Sequence, residues 1–118
     1  MSAWSGSTRL DVDSIMTCAR QGAPARIPRI FLMGRAMVTW ESLPAADGEK
    51  PVWSARVTFT PSNQRGGASC EVRVYDRGEH REVVLDRDHS RGLGSRSKNL
   101  VEGIAGSLAK NDPTLQSH

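Results

Sequence analysis

Two stretches of strict two-residue alternation constrain this chain most. In Val52–Thr60, the apolar Trp53, Ala55, Val57 and Phe59 alternate with Ser54, Arg56, Thr58 and Thr60. In Ala68–Asp76, Ala68, Cys70, Val72 and Val74 alternate with Ser69, Glu71, Arg73 and Tyr75. Successive side chains of a strand point to opposite faces, so each stretch is a strand with one apolar and one polar face. Pro61–Gly67 reads as the loop between them. Ile30–Trp40 reads as an earlier strand bent at Gly34, and Leu43–Lys50, with Pro44 and Asp47-Gly48, as a loop. Arg77-Gly78 marks a turn into a last strand, Arg81–Asp86, around Val83 and Leu85.

A sheet with one apolar face needs a cover, and two amphipathic segments supply it. The first runs from Asp11 or Asp13 to Arg20, with Asp13 as N-cap, Gly22 and Pro24 as the stop, and Ile15, Met16, Cys18 and Ala19 on its buried side. The second runs from about Leu100 to Lys110. Leu100, Ile104 and Leu108 recur every four residues, Val101 and Ala105 widen the stripe, and Asn99 with Glu102 has capping-box spacing. The predicted order is α-β-β-β-β-α. This is an α+β two-layer sandwich, an antiparallel sheet of four strands (or three) flanked by two helices. Residues 1–10 read as a flexible arm, 11–111 as a single domain and 112–118 as a frayed tail. The polar sheet face, with Arg56, Thr58, Glu71, Arg73 and Tyr75, is left to solvent or to a partner.

With 37% hydrophobic and 25% charged residues the chain is ordinary globular material, which excludes disorder throughout. It carries net +3, and its cations are 13 Arg against Lys50, Lys98 and Lys110. Arginine presents a planar fork of donors suited to phosphate and carboxylate, although a coding bias gives the same composition. Cys18 and Cys70 form neither a metal pair nor a secretory framework. With no signal peptide and no apolar run of membrane length, the expected location is the cytoplasm. No cofactor and no metal ligand set is expected. Cys70, His80, Asp86, Asp88 and His89 could in principle supply a nucleophile and a base, but no motif ties them together, so no catalytic residue is assigned.

The densest positive stretch is Arg87–Lys98, where Arg87, Arg91, Arg96 and Lys98 stand against Asp88 alone. It includes Gly92-Leu93-Gly94-Ser95-Arg96-Ser97-Lys98 just ahead of the last helix. Glycines let backbone approach an anion, and a helix start offers unpaired N–H groups and a positive dipole end. Ser95, Arg96, Ser97 and Lys98 add side-chain donors, which makes this a candidate phosphate site; a solvated polar loop is the plainer alternative. It is neither a Walker loop nor a dinucleotide fingerprint, because the Gly-Lys-Ser/Thr order and a parallel βαβ unit are both missing. Trp53 falls on a core face and Trp40 closes a strand. Trp4 lies in the expected arm, where it is either a loosely packed arm residue, the plainer reading, or free to stack on a base.

Gly92-x-Gly94, Ser97-Lys98, Leu100, Ile104-Ala105 and Leu108 together resemble the C-terminal signature of double-stranded-RNA-binding domains. The resemblance implies that Arg96, Ser97 and Lys98 contact phosphates across the major groove, while the first helix and the loop after the first strand touch minor grooves. Where that family carries a basic residue one turn into the helix, this chain has Val101. Gly94-Ser95-Arg96-Ser97 is also similar to the strand-to-helix stretch of tombusvirus-type suppressors of RNA silencing. That likeness implies a dimeric sheet-face cradle for a short RNA duplex, recruiting Arg56, Thr58, Arg73 and Trp4. Both imply duplex RNA read by shape. The expected partners are therefore duplex RNA and a second copy of the chain, joined through a sheet edge or a helix. The competing expectation is a protein-interaction domain, an inhibitor or adaptor using the exposed sheet face.

Overall fold

The alternating stretches form the centre of a continuous antiparallel sheet. The computed structural model describes residues 3–28, 34–44, 48–62, 67–87 and 94–118. Strand β3 (Trp53–Thr60) pairs with β4 (Ala68–Asp76), placing Val57 opposite Cys70 and Phe59 opposite Ala68. Strand β5 (Arg81–Arg87) follows through a turn in which Gly78 takes φ +92° and its N–H donates to Asp76 at 2.9 Å. Strand β2 (Met37–Ser42) flanks β3. The Ile30–Trp40 expectation is corrected: Gly34, at φ +70°, makes a turn rather than a bend within a strand, and pairing starts at Met37. Residues 30–33 lie outside the described residues.

Two strands were not expected. Trp4–Thr8, read as part of an arm, is strand β1, paired along its length with β5. Gln116–Ser117, read as a frayed tail, is β6, paired with β1. Among the described residues the sheet therefore has six strands, in the order β2-β3-β4-β5-β1-β6. The element order is β-α-β-β-β-β-α-β, and the α+β class holds with a wider sheet.

Helix α1 (Val12–Gly22) begins between the two starting residues expected and runs two residues past Arg20. Asp11, not Asp13, is the N-cap, its carboxylate accepting from the Ser14 N–H at 2.7 Å. Helix α2 (Gly94–Asn111) starts six residues before Leu100, so Asn99 and Glu102 lie inside it and form no capping box. Both helices cover one sheet face. Ile15, Val57, Phe59, Cys70, Val72, Val74, Val83, Leu85, Leu100, Ile104 and Leu108 are completely buried between the layers. The helices cross where Gly22 meets Gly103, and a Cβ on either would run into the other's carbonyl oxygen. Among the described residues no helix is long and apolar enough to cross a membrane.

The end of α2 is tied to β1 by Asp112. Its carboxylate accepts from Thr8 Oγ1 at 2.5 Å, the Arg9 N–H at 3.1 Å, Thr114 Oγ1 at 2.6 Å and the Thr114 N–H at 2.9 Å. The hydrogen bonds from Thr114 and Thr8 hold the Asp112 carboxyl down at about 2. This knot fixes the chain that leads into β6, where the His118 N–H donates to the Ser5 carbonyl.

Candidate nucleic-acid interface

The start of α2 divides its side chains between inside and outside. Ser97 is 1% exposed, and its hydroxyl donates to the Ser69 carbonyl at 3.0 Å, anchoring the helix to the start of β4. It is a packing residue in this fold, not an outward donor. One position on, Lys98 points to solvent, 3.7 Å from Glu102 one turn along. The first turn of α2 contains no acid. Ser95 and Arg96 belong to that turn, but their side chains lie outside the described residues, as does the whole of Arg91. Arg87 ends β5 opposite Cys70 and is half-buried on the helix side of the sheet.

The other face of the sheet gathers the remaining arginines into a charge ladder. Register places Glu41, Arg56, Glu71 and Asp86 side by side across β2 to β5. Arg56 reaches Glu71 at 2.8 Å and Glu41 at 3.3 Å; Arg73 reaches Glu71 at 3.2 Å and also pairs with Asp86. Three carboxylates thus stand against two guanidiniums, so this stretch of the face carries no excess of positive charge. The hydrogen bond it donates to Glu71 holds the Arg56 guanidinium even more firmly charged than usual. A trough of about 550 Å³ runs beside the ladder, walled by Leu43, Pro44 and Pro51 and floored by Ser54, Arg73 and Tyr75. Arg77 continues the pattern: it pairs with Glu82 at 2.9 Å and with Glu49, and lies over the Tyr75 ring at 5.2 Å.

Trp4 does not hang from an arm. It stands opposite Leu85 on the core side of β1 and packs against the core. Its ring lies over Gly6, where a Cβ would sit 2.6 Å from the indole. Trp40 and Trp53 stack with centroids 6.0 Å apart. Cys70 is completely buried, and burial pushes its thiol up to about 12, so the thiolate that a nucleophile needs does not form near neutrality. Among the described residues, no group of three His, Cys, Asp or Glu side chains is placed to hold a metal ion.

The helix layer treats its cations differently. Arg20, Arg26 and Lys110 are exposed, and among the described residues no ion pair holds any of them; Lys98 pairs there with Glu102. The reading of the sequence missed Arg20, Arg26 and Lys110 because they are isolated along the chain, and only the antiparallel packing of α1 on α2 brings them into one layer. It missed Glu41, Glu71 and Asp86 as arginine partners because their alignment depends on register. No protein-family model matches the chain, and no curated protein matches it.

Proposed function

We propose that this domain binds duplex RNA through phosphate contacts made by its helix layer, centred on the start of α2, with recognition by shape rather than by base sequence. The observation that supports this is the contrast in ion pairing. The sheet-face arginines Arg56, Arg73 and Arg77 are neutralised by carboxylates, whereas Arg20, Arg26, Lys98 and Lys110 on the helix layer keep their charge open to solvent. A phosphate backbone recruits open cations and gains little from a guanidinium that must first give up a carboxylate. Arg96 belongs to the first turn of α2, which contains no acid. The resemblance of the α2 sequence to double-stranded-RNA-binding domains supports the same ligand.

The test is binding to duplex RNA, single-stranded RNA and duplex DNA across a salt series. Duplex RNA should bind tightest, and the double variant Arg96→Ala/Lys98→Ala should flatten the log–log salt slope by about two. Unchanged affinity and slope in that variant would remove the proposal. A protein-interaction role is favoured by one separate observation, the trough beside the charge ladder, whose proline wall and paired charges suit a peptide better than a polyanion. Capture of a protein that Arg73→Ala releases, with no nucleic acid shifted at low salt, would support that role instead.

A further inference from the structure

The two edges of the sheet differ. β6 is two residues long and offers almost no template. β2 is six residues long, holds no Pro or Lys, and carries Glu41 as its only charge, so it lacks the usual protection of an edge. Met37 is 56% exposed on it. The Leu43 N–H donates inward to the Ser54 carbonyl. By alternation, the main-chain groups of Val38, Trp40 and Ser42 face outward, away from β3.

We propose that β2 is a self-association edge, on which two copies pair β2 against β2, antiparallel, about a two-fold axis through Thr39. A two-fold that keeps both sheets' apolar faces on one side must pair positions of like parity. Centring it on Thr39 sets Val38 opposite Trp40 of the second copy, and their outward N–H and C=O groups exchange hydrogen bonds. On the core side this makes an aromatic-on-β-branched pair twice over, extending the Trp40–Trp53 stack. On the open side Thr39 meets Thr39 of the second copy, and Met37 covers the stem of Glu41. The two Glu41 carboxylates stay apart, and the exposed Arg35 of each copy comes toward Glu41 of the other. This self-complementarity of shape and charge selects a second copy over an unrelated strand. The proposal does not depend on RNA binding.

Sedimentation equilibrium of the full chain, from micromolar to hundreds of micromolar, should show a monomer–dimer equilibrium. Thr39 is exposed on the open face, so Thr39→Lys leaves the monomer intact, as an unchanged thermal melt of the dilute protein would show. It sets two ammonium groups against each other and should weaken the dimer at least about tenfold. Register is read by cross-linking. Opposed Cα atoms in a non-hydrogen-bonded pair lie about 4.5 Å apart, within disulfide range, so Thr39→Cys should cross-link under mild oxidation. Glu41→Cys should not, and the native Cys18 and Cys70 are buried and do not compete. A wild-type chain that stays monomeric throughout, or a Glu41→Cys that cross-links as readily as Thr39→Cys, overturns the proposal.

Discussion

On the open face of the sheet, Arg73 sits between Glu71 and Asp86, Arg56 between Glu71 and Glu41, and Arg77 between Glu82 and Glu49. On the helix layer, Arg20, Arg26 and Lys110 are exposed and have no ion pair among the described residues, and Lys98 has one acid 3.7 Å away. The same residue types therefore do different physical work on the two faces. In the sheet they are half-buried cross-strand partners that help fix register, and their charge is spent locally. On the helices they leave a field that an anion can feel. A net charge of +3 conceals this division, because it averages a neutralised face with an open one. The variants below break or sharpen that contrast.

The largest effect is expected where the two layers are tied together. Asp112→Ala leaves the buried Thr8 hydroxyl and the Arg9 N–H without their acceptor and frees the chain leading into β6, so it should cost about 2–3 kcal/mol in denaturant unfolding. The same group sets a pH dependence. Its carboxyl is depressed to about 2 in the fold, so its contribution is fully present above the unfolded carboxylate range near 4 and is lost as pH falls toward 2. Asp112→Asn should abolish that part of the acid dependence. An acid unfolding profile unaltered by the substitution would show that the knot does not couple the layers.

Next comes the sheet ladder. Arg73→Ala leaves Glu71 and Asp86 adjacent without the cation between them and should cost about 1–2 kcal/mol of stability. Duplex RNA affinity of the folded variant should stay within about twofold of wild type, since its charge is already committed. A large loss of affinity would instead place the RNA on the sheet. A smaller effect, about 1 kcal/mol, is expected for Ser97→Ala, which removes the buried hydrogen bond to the Ser69 carbonyl. Its salt slope for RNA should be unchanged, because Ser97 is buried and its hydroxyl is bonded to Ser69.

These contrasts show what the sequence could and could not reveal. The alternation in Val52–Thr60 and Ala68–Asp76 placed β3 and β4 almost residue for residue, because their side chains meet a continuous core and the pattern is fixed by burial. The Leu100, Ile104, Leu108 stripe placed the body of α2 for the same reason. Its first turns were illegible: Gly94, Ser95, Ser97 and Asn99 have poor helix propensity, and the bond from Ser97 to Ser69 supplies what propensity does not. Trp-Ser-Gly-Ser-Thr reads as an arm because β1 owes its strand to pairing with β5 and β6, not to its own residues. Lys98 was visible as part of a charge run; Ser97 beside it falls three and four residues before Leu100 and Val101, on the buried stripe, a placement that could be read only if the helix was extended back past Asn99. The commitment of Arg56 and Arg73 to carboxylates required cross-strand register, which no local pattern encodes.

The smallest expected effect is also the most discriminating, because it is a gain. Glu102→Gln removes the acid paired with Lys98 and keeps a residue of similar helix propensity at an exposed site, so stability should change by less than about 0.5 kcal/mol. It also removes a negative charge from the surface proposed to meet phosphate. Duplex RNA should then bind about two- to fivefold tighter at low salt, with the gain shrinking as salt rises. Glu71→Gln is the matched change on the other face. It loosens both Arg56 and Arg73, lowers stability, and should give no gain in affinity if RNA binds the helix layer as proposed. If Glu71→Gln tightened RNA binding and Glu102→Gln did not, the working face would be the sheet, and the open cations of the helices would be no more than a solvated surface.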